Sequence, residues 1–160
     1  MAIEIITTGG TIDKIYFDAK SSYEIGEPQI GQVLEDANLV IDYCITPLLR
    51  KDSLELTDDD RELIRKTAAA SANDRIVITH GTDTMIKTAL AIGTLPGKTV
   101  VLTGAMQPAR FRFTDAIYNV AAALTAVQVL GEGVWIVMNG RVFDPRHARK
   151  NVEMNRFEEV

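Results

Sequence analysis

Apolar residues come in short unbroken runs, separated by polar loops rich in glycine and threonine. Ile3 to Thr8 reads as a strand that breaks on Gly9-Gly10-Thr11. Ile76, Val77 and Ile78 make Arg75 to Thr79 a short buried strand, and the loop His80-Gly81-Thr82-Asp83-Thr84 follows it. Thr99 to Thr103 is a further buried strand ending at Gly104, Val134 to Met138 is another, and Leu39 to Ile45 has strand character. Helical segments lie between them. Pro28 is placed to open a short helix through Leu34. Thr57 suits the N-cap of a helix running to about Ser71, with Asp58, Asp59 and Asp60 at the positive end of its dipole. A helix is expected from about Thr84 to Leu95. Thr114 to Leu130 is the strongest helix, with Ile117, Val120, Ala121, Leu124 and Val127 on one face. Asp18 to Gly26 is polar without a period and reads as a loop, and the tail beyond Arg146 shows no pattern.

Continuous apolar strands alternating with helices predict an α/β fold, with a mainly parallel sheet covered by helices on both faces. In such sheets ligands bind at the carboxyl ends of strands, which is where both Gly/Thr loops fall. Glycine lets the backbone turn sharply there and leaves N–H groups bare. A threonine hydroxyl beside bare donors has the parts of a nucleophile site.

Composition narrows the partners. The 160 residues are 46% hydrophobic and 24% charged, which suits one soluble domain with a substantial core. A formal net charge of -5 argues against nucleic acid and against an anionic membrane surface. No apolar run approaches the roughly 20 residues of a membrane span. The start also lacks the basic and apolar regions of a signal peptide, so the expected location is the cytoplasm. Cys44 is the single cysteine and is expected to be a buried small hydrophobe. His80, at the end of a buried strand, suits a structural hydrogen bond, and His147 a surface position. Two histidines without matching carboxylates do not make a metal site, and neither glycine loop has the spacing of a phosphate cradle.

Three stretches together carry a resemblance: Thr8-Gly9-Gly10-Thr11-Ile12, His80-Gly81-Thr82-Asp83-Thr84-Met85 and Thr103-Gly104-Ala105-Met106-Gln107-Pro108. In order and approximate spacing they resemble the signatures of the bacterial-type L-asparaginase family. Lys20-Ser21-Ser22-Tyr23-Glu24-Ile25-Gly26 and Asp144-Pro145-Arg146-His147-Ala148-Arg149-Lys150 are weaker matches to the same family. The resemblance covers the family's N-terminal domain. The expected organisation is one α/β catalytic domain over 1–160, with the family's C-terminal domain absent.

The resemblance implies an amidohydrolase that cleaves the side-chain amide of asparagine through a threonine acyl-enzyme. Thr11 matches the first nucleophile, and its plain alternative is a hydroxyl that only braces a turn. Tyr23 matches the tyrosine of a flexible loop that relays a proton and closes as a lid, with Tyr16 as a nearby rival. Thr82, Asp83 and Lys150 match a second polar triad, although Asp83 is also placed to cap the following helix. Gly10 and Gly81, with Thr82 and Asp83, are expected at the substrate. Ser53 is expected at its carboxylate, where Leu54 follows in place of a polar side chain. Gln107 stands where arginine is common, and Arg110 or Arg112 could supply that charge. No cofactor and no metal are implied. The expected partners are a small-molecule amide and further copies of the chain in a homo-oligomer. Glutamine or another small amide, and a non-catalytic amino-acid-binding role, remain the alternatives.

Overall fold

The computed structural model describes residues 1–160. In chain order it has β1 (Ala2–Gly9), β2 (Lys14–Phe17), β3 (Ser22–Ile25), α1 (Ile30–Asp36), β4 (Asp42–Lys51), α2 (Asp58–Ala70) and β5 (Arg75–Thr79). Then come α3 (Met85–Ile92), β6 (Thr99–Thr103), α4 (Ala116–Val129), β7 (Gly133–Met138), β8 (Arg141–Phe143), β9 (Ala148–Asn151) and β10 (Arg156–Glu159). Six strands form one sheet in the order β4-β1-β5-β6-β7-β8, parallel except for β8.

Side chains alternate across a strand, so each apolar run feeds two cores. Ile3 and Ile5 of β1, Val77 of β5, Val101 of β6 and Val137 of β7 pack with Leu34 of α1 and with Val120, Leu124 and Val127 of α4. Ile6, Ile76, Ile78, Leu102 and Ile136 face the other way, against Ile64 and Ala68 of α2 and Met85, Ala89 and Ile92 of α3. Two helices thus cover each face, as expected for unbroken apolar strands. β5 and β6 have the predicted limits. α2 begins at the predicted cap: Thr57 accepts from the Asp60 N–H at 3.1 Å, and the Asp60 carboxylate accepts from the Thr57 N–H at 2.9 Å. This is a complete capping box.

Several expectations need correction. Part of the supposed loop Asp18 to Gly26 is β3, which pairs antiparallel with β2 and sets Tyr16 opposite Tyr23. Their rings meet edge-on with centroids 5.4 Å apart, a cross-strand pair that holds a short hairpin. The strand expected over Leu39 to Ile45 starts later and continues to Lys51. It includes Pro47, which is tolerated because β4 is an edge strand and needs no inward N–H there. Cys44, on that edge, is exposed rather than buried. α3 stops at Gly93 instead of Leu95, where φ of 58° breaks the helix. α4 is turned by about one residue from its predicted face. Ile117 is 57% exposed, while Ala116, Asn119, Val120, Ala123, Leu124 and Val127 are buried. Small residues let this helix lie close to the sheet, and Asn119 pins it by donating to the Gly104 carbonyl at 3.0 Å. The tail is a hairpin of β9 and β10, anchored by the buried ring of Phe157 beside Phe143.

Candidate active site

Gly9 and Gly10 carry the chain from the end of β1 between two other backbones. Gly10 has φ of 86°, and a Cβ there would stand 2.4 Å from the Gly81 nitrogen. Its N–H donates to the Lys51 carbonyl at 3.0 Å. Gly81 is equally confined, since a Cβ would lie 2.6 Å from Cβ of Ser53. The turn after β1, the loop after β5 and the turn after β4 therefore meet, and only glycine permits the approach.

Thr11 opens a 3-10 turn (Thr11–Asp13) immediately beyond this crossing. It is half-buried, and its hydroxyl makes no hydrogen bond within the chain, so it does not brace the turn. Ser53 lies in a 3-10 turn capped by Asp52, which accepts from the Leu54 N–H at 3.0 Å. Ser53 is buried, and its Oγ accepts from the Thr84 N–H at 3.3 Å while its carbonyl accepts from the Thr84 hydroxyl at 2.7 Å. Leu54 points outward, 72% exposed.

Thr82 and Asp83 follow Gly81. Lys150, 67 residues beyond Asp83, donates from Nζ to Thr82 Oγ1 at 2.8 Å and to Asp83 Oδ1 at 2.6 Å. Its side chain is only 15% exposed, so it is not a solvated tail charge. The β9–β10 hairpin delivers it, with Lys150 in register with the anchored Phe157. Asp83 does not cap α3, because its carboxylate is held by Lys150. The N–H groups of Gly81 and Thr82 make no hydrogen bond within the chain.

Tyr23 makes no hydrogen bond to this cluster, and its ring contacts are aromatic. Its ring packs edge-on against Phe111 with centroids 5.8 Å apart, it is 51% exposed, and its hydroxyl bonds nothing. The structure does not join it to Thr11. Arg110 donates to the Gln29 side chain at 2.8 Å, and Arg112 lies over the Phe113 ring. The backbone N–H groups of Met106 and Gln107 donate to the Asp115 carboxylate. Two hollows elsewhere on the molecule, of about 560 and 360 Å³, share no residue with the cluster.

Two buried ionisable groups flank the site. His80 is fully buried, and burial pushes its imidazole down to about 4. The Gly81 carbonyl opposes that shift and the Arg61 charge adds to it. His80 has the structural role expected of it, bonding the Gly81 carbonyl at 2.6 Å and Thr88 Oγ1 at 2.8 Å. Asp13 was not anticipated. It is 2% exposed, and burial pushes its carboxyl up to about 7 against the pull of the Gln29 N–H and the Arg50 charge. Its Oδ1 accepts from the Gln29 N–H at 2.9 Å, its N–H donates to the Gly10 carbonyl at 3.1 Å, and its carbonyl accepts from the Gly26 N–H at 2.8 Å. One residue thus ties the Thr11 turn to both the base of the Tyr23 hairpin and the start of α1. Nothing in a lone aspartate after Ile12 signals this in the sequence.

Comparisons with known proteins agree with this architecture. A family model described as asparaginase, N-terminal, matches residues 2–158. The probable periplasmic L-asparaginase of Haemophilus influenzae is 31% identical over 159 residues, covering 92% of this chain and 46% of that protein. The glutaminase-asparaginase of Pseudomonas aeruginosa is 30% identical over 166 residues, covering 95% of this chain and 46% of the relative. The crystal structure of L-asparaginase I from Vibrio cholerae superposes with a TM-score of 0.86 at 27% identity, over 99% of this chain and 51% of that one. The chain spans about half the length of the curated relatives it matches. With the family model matched along nearly its whole length, this chain belongs to the asparaginase family, in the part that forms the N-terminal domain.

Proposed function

We propose that this chain carries the catalytic threonines of an amidohydrolase that converts the side-chain amide of asparagine to aspartate and ammonia. The observation that carries the reading is the convergence of Lys150 on Thr82 and Asp83, in the loop that abuts the Gly10–Thr11 turn. In this reading Thr11 Oγ attacks the amide carbonyl carbon. The C–N bond breaks, ammonia leaves, and water then hydrolyses the ester and restores the hydroxyl. The free N–H groups of Gly81 and Thr82 support an oxyanion role, because preformed donors stabilise charge as it develops. Asp83 holds the substrate's ammonium group, and the Ser53 hydroxyl takes its carboxylate. The hairpin bearing Tyr23 closes over the site and supplies the proton relay. A homo-oligomer is part of the proposal, supported by Phe113, Ile117 and Tyr118, which are 82%, 57% and 63% exposed.

The test is ammonia release from L-asparagine, L-glutamine and their D-forms. L-asparagine is expected to be turned over fastest. Glutamine is the second reading, favoured by the name of the Pseudomonas relative. Thermal stabilisation by aspartate with no ammonia above background would leave only amino-acid binding.

Lys150→Met separates the triad from a mere surface pair. It removes the ammonium and keeps most of the side-chain length. Turnover is expected to fall about 100-fold, as on loss of one electrostatic donor to a reacting group. The melting temperature should move by only about 3 °C, because Asp83 is 45% exposed and such pairs stabilise little. A variant with full turnover would remove Lys150 from the chemistry.

A further inference from the structure

The inward stripe of α2 carries an arginine. Arg61 shares it with Ile64 and Ala68 and is 3% exposed. On the facing helix α3, Thr88 lies among Met85, Ala89 and Ile92 and is fully buried. Arg61 Nε donates to Thr88 Oγ1 at 3.2 Å, and a second guanidinium nitrogen donates to the Leu56 carbonyl at 3.0 Å. Thr88 Oγ1 is also 2.8 Å from His80 Nε2, and His80 Nδ1 is 2.6 Å from the Gly81 carbonyl.

The direction of every bond in this series follows from elementary chemistry. A guanidinium only donates, and a carbonyl only accepts. Nδ1 must therefore carry the imidazole proton, and in the neutral ring Nε2 is left as an acceptor. Thr88 then accepts from Arg61 with its lone pair and donates its hydroxyl proton to Nε2. The series runs one way from a buried cation to the Gly81 carbonyl, and such a chain strengthens each member. It ends on the peptide unit that bears the Thr82 N–H.

We propose that Arg61, Thr88 and His80 form a one-way hydrogen-bond string that fixes the Gly81–Thr82 peptide, with Thr88 as its positioning residue. This rests on the amidohydrolase reading only for its catalytic consequence. The string holds the loop through its Gly81 carbonyl, while Lys150 holds it through the Thr82 hydroxyl. Valine at 88 keeps the shape but neither accepts nor donates, and serine restores both.

Nitrogen-15 NMR tests this directly, because only His80 and His147 contribute imidazole signals. His80 is expected as the neutral Nδ1–H tautomer near neutral pH. Thr88→Val should shift its Nε2 resonance and lower the backbone order parameters of Gly81 and Thr82 from about 0.85 to below about 0.7. It should also cut kcat about tenfold with KM within about twofold. Thr88→Ser should restore all three. An Nε2–H tautomer, or unchanged order parameters in Thr88→Val, would overturn the string whether or not any amide is hydrolysed. An Nε2 shift and loosened loop in a protein that hydrolyses no amide would support the string while refuting the catalytic reading. If Thr88→Val does not fold, Arg61→Met is read in the same way.

Discussion

Thr11→Ala is expected to lower ammonia release from asparagine by about 1,000-fold or more, the scale of losing a nucleophile. The structural cost should be small. The Thr11 hydroxyl bonds nothing within the chain, and the turn is held by the Gly10 and Asp13 backbone and by the contact with Gly81. Binding should survive, because the groups proposed to grip the ammonium and carboxylate belong to Asp83 and Ser53. Aspartate at about 100 times its Kd would still stabilise the variant by about 2.7 kcal/mol. The measurement is paired: ammonia release, and melting temperature with and without aspartate. Turnover within tenfold of the parent would remove Thr11 as nucleophile. Loss of both turnover and aspartate-dependent stabilisation would make Thr11 a binding group instead.

The parts that could be read from sequence are those where one physical cause dominates. Buried parallel strands need apolar side chains on both faces, so β5 and β6 announce themselves with their limits. The α2 cap is local chemistry, written in Thr57 and Asp60. The two Gly/Thr loops follow from strand ends, and their glycines are required by backbones approaching within van der Waals distance. What could not be read depends on partners distant in sequence. β3 is polar and exists through its pairing with β2. The tail is a hairpin because Phe157 reaches the core beside Phe143. α4 is apolar almost all round, so its period fits neighbouring rotations nearly equally, and Asn119 decides between them through Gly104. Arg61 left a trace: an arginine spaced three and seven residues from Ile64 and Ala68 on a buried stripe. Its partners Thr88 and His80, however, lie 27 and 19 residues away. Asp13 left none, because its burial is made by Gln29, Gly26 and Gly10 converging on it.

Asp13→Asn should therefore have the largest effect on stability, and one that depends on pH. Burial raises the carboxyl from its ordinary 3.8 to about 7. Between those values the unfolded chain has released the proton and the folded chain keeps it. The folded state binds more protons, so stability falls as pH rises, by about 1.4 kcal/mol per unit. The accumulated loss is about 4 kcal/mol by pH 8, and none of it is present below pH 4. His80 acts in the opposite sense. Its imidazole is lowered from 6.5 to about 4, so over that interval the unfolded chain binds more protons and stability rises with pH. In the parent protein the two slopes largely cancel between about pH 4 and 6.5. Asparagine at 13 still offers an oxygen to the Gln29 N–H but does not ionise. The variant should match the parent near pH 4, exceed it by up to about 4 kcal/mol at pH 8, and melt about 10 °C higher there. Its own stability should rise from pH 4 to 6.5, because the His80 contribution is no longer offset. Urea denaturation at pH 4.5, 6.5 and 8 reads all of this. A constant offset between the two proteins across that range would mean that Asp13 does not titrate on folding. A gain confined to high pH would mean that the parent keeps a costly buried acid beneath the Thr11 turn, as expected where a site is held together at the expense of stability.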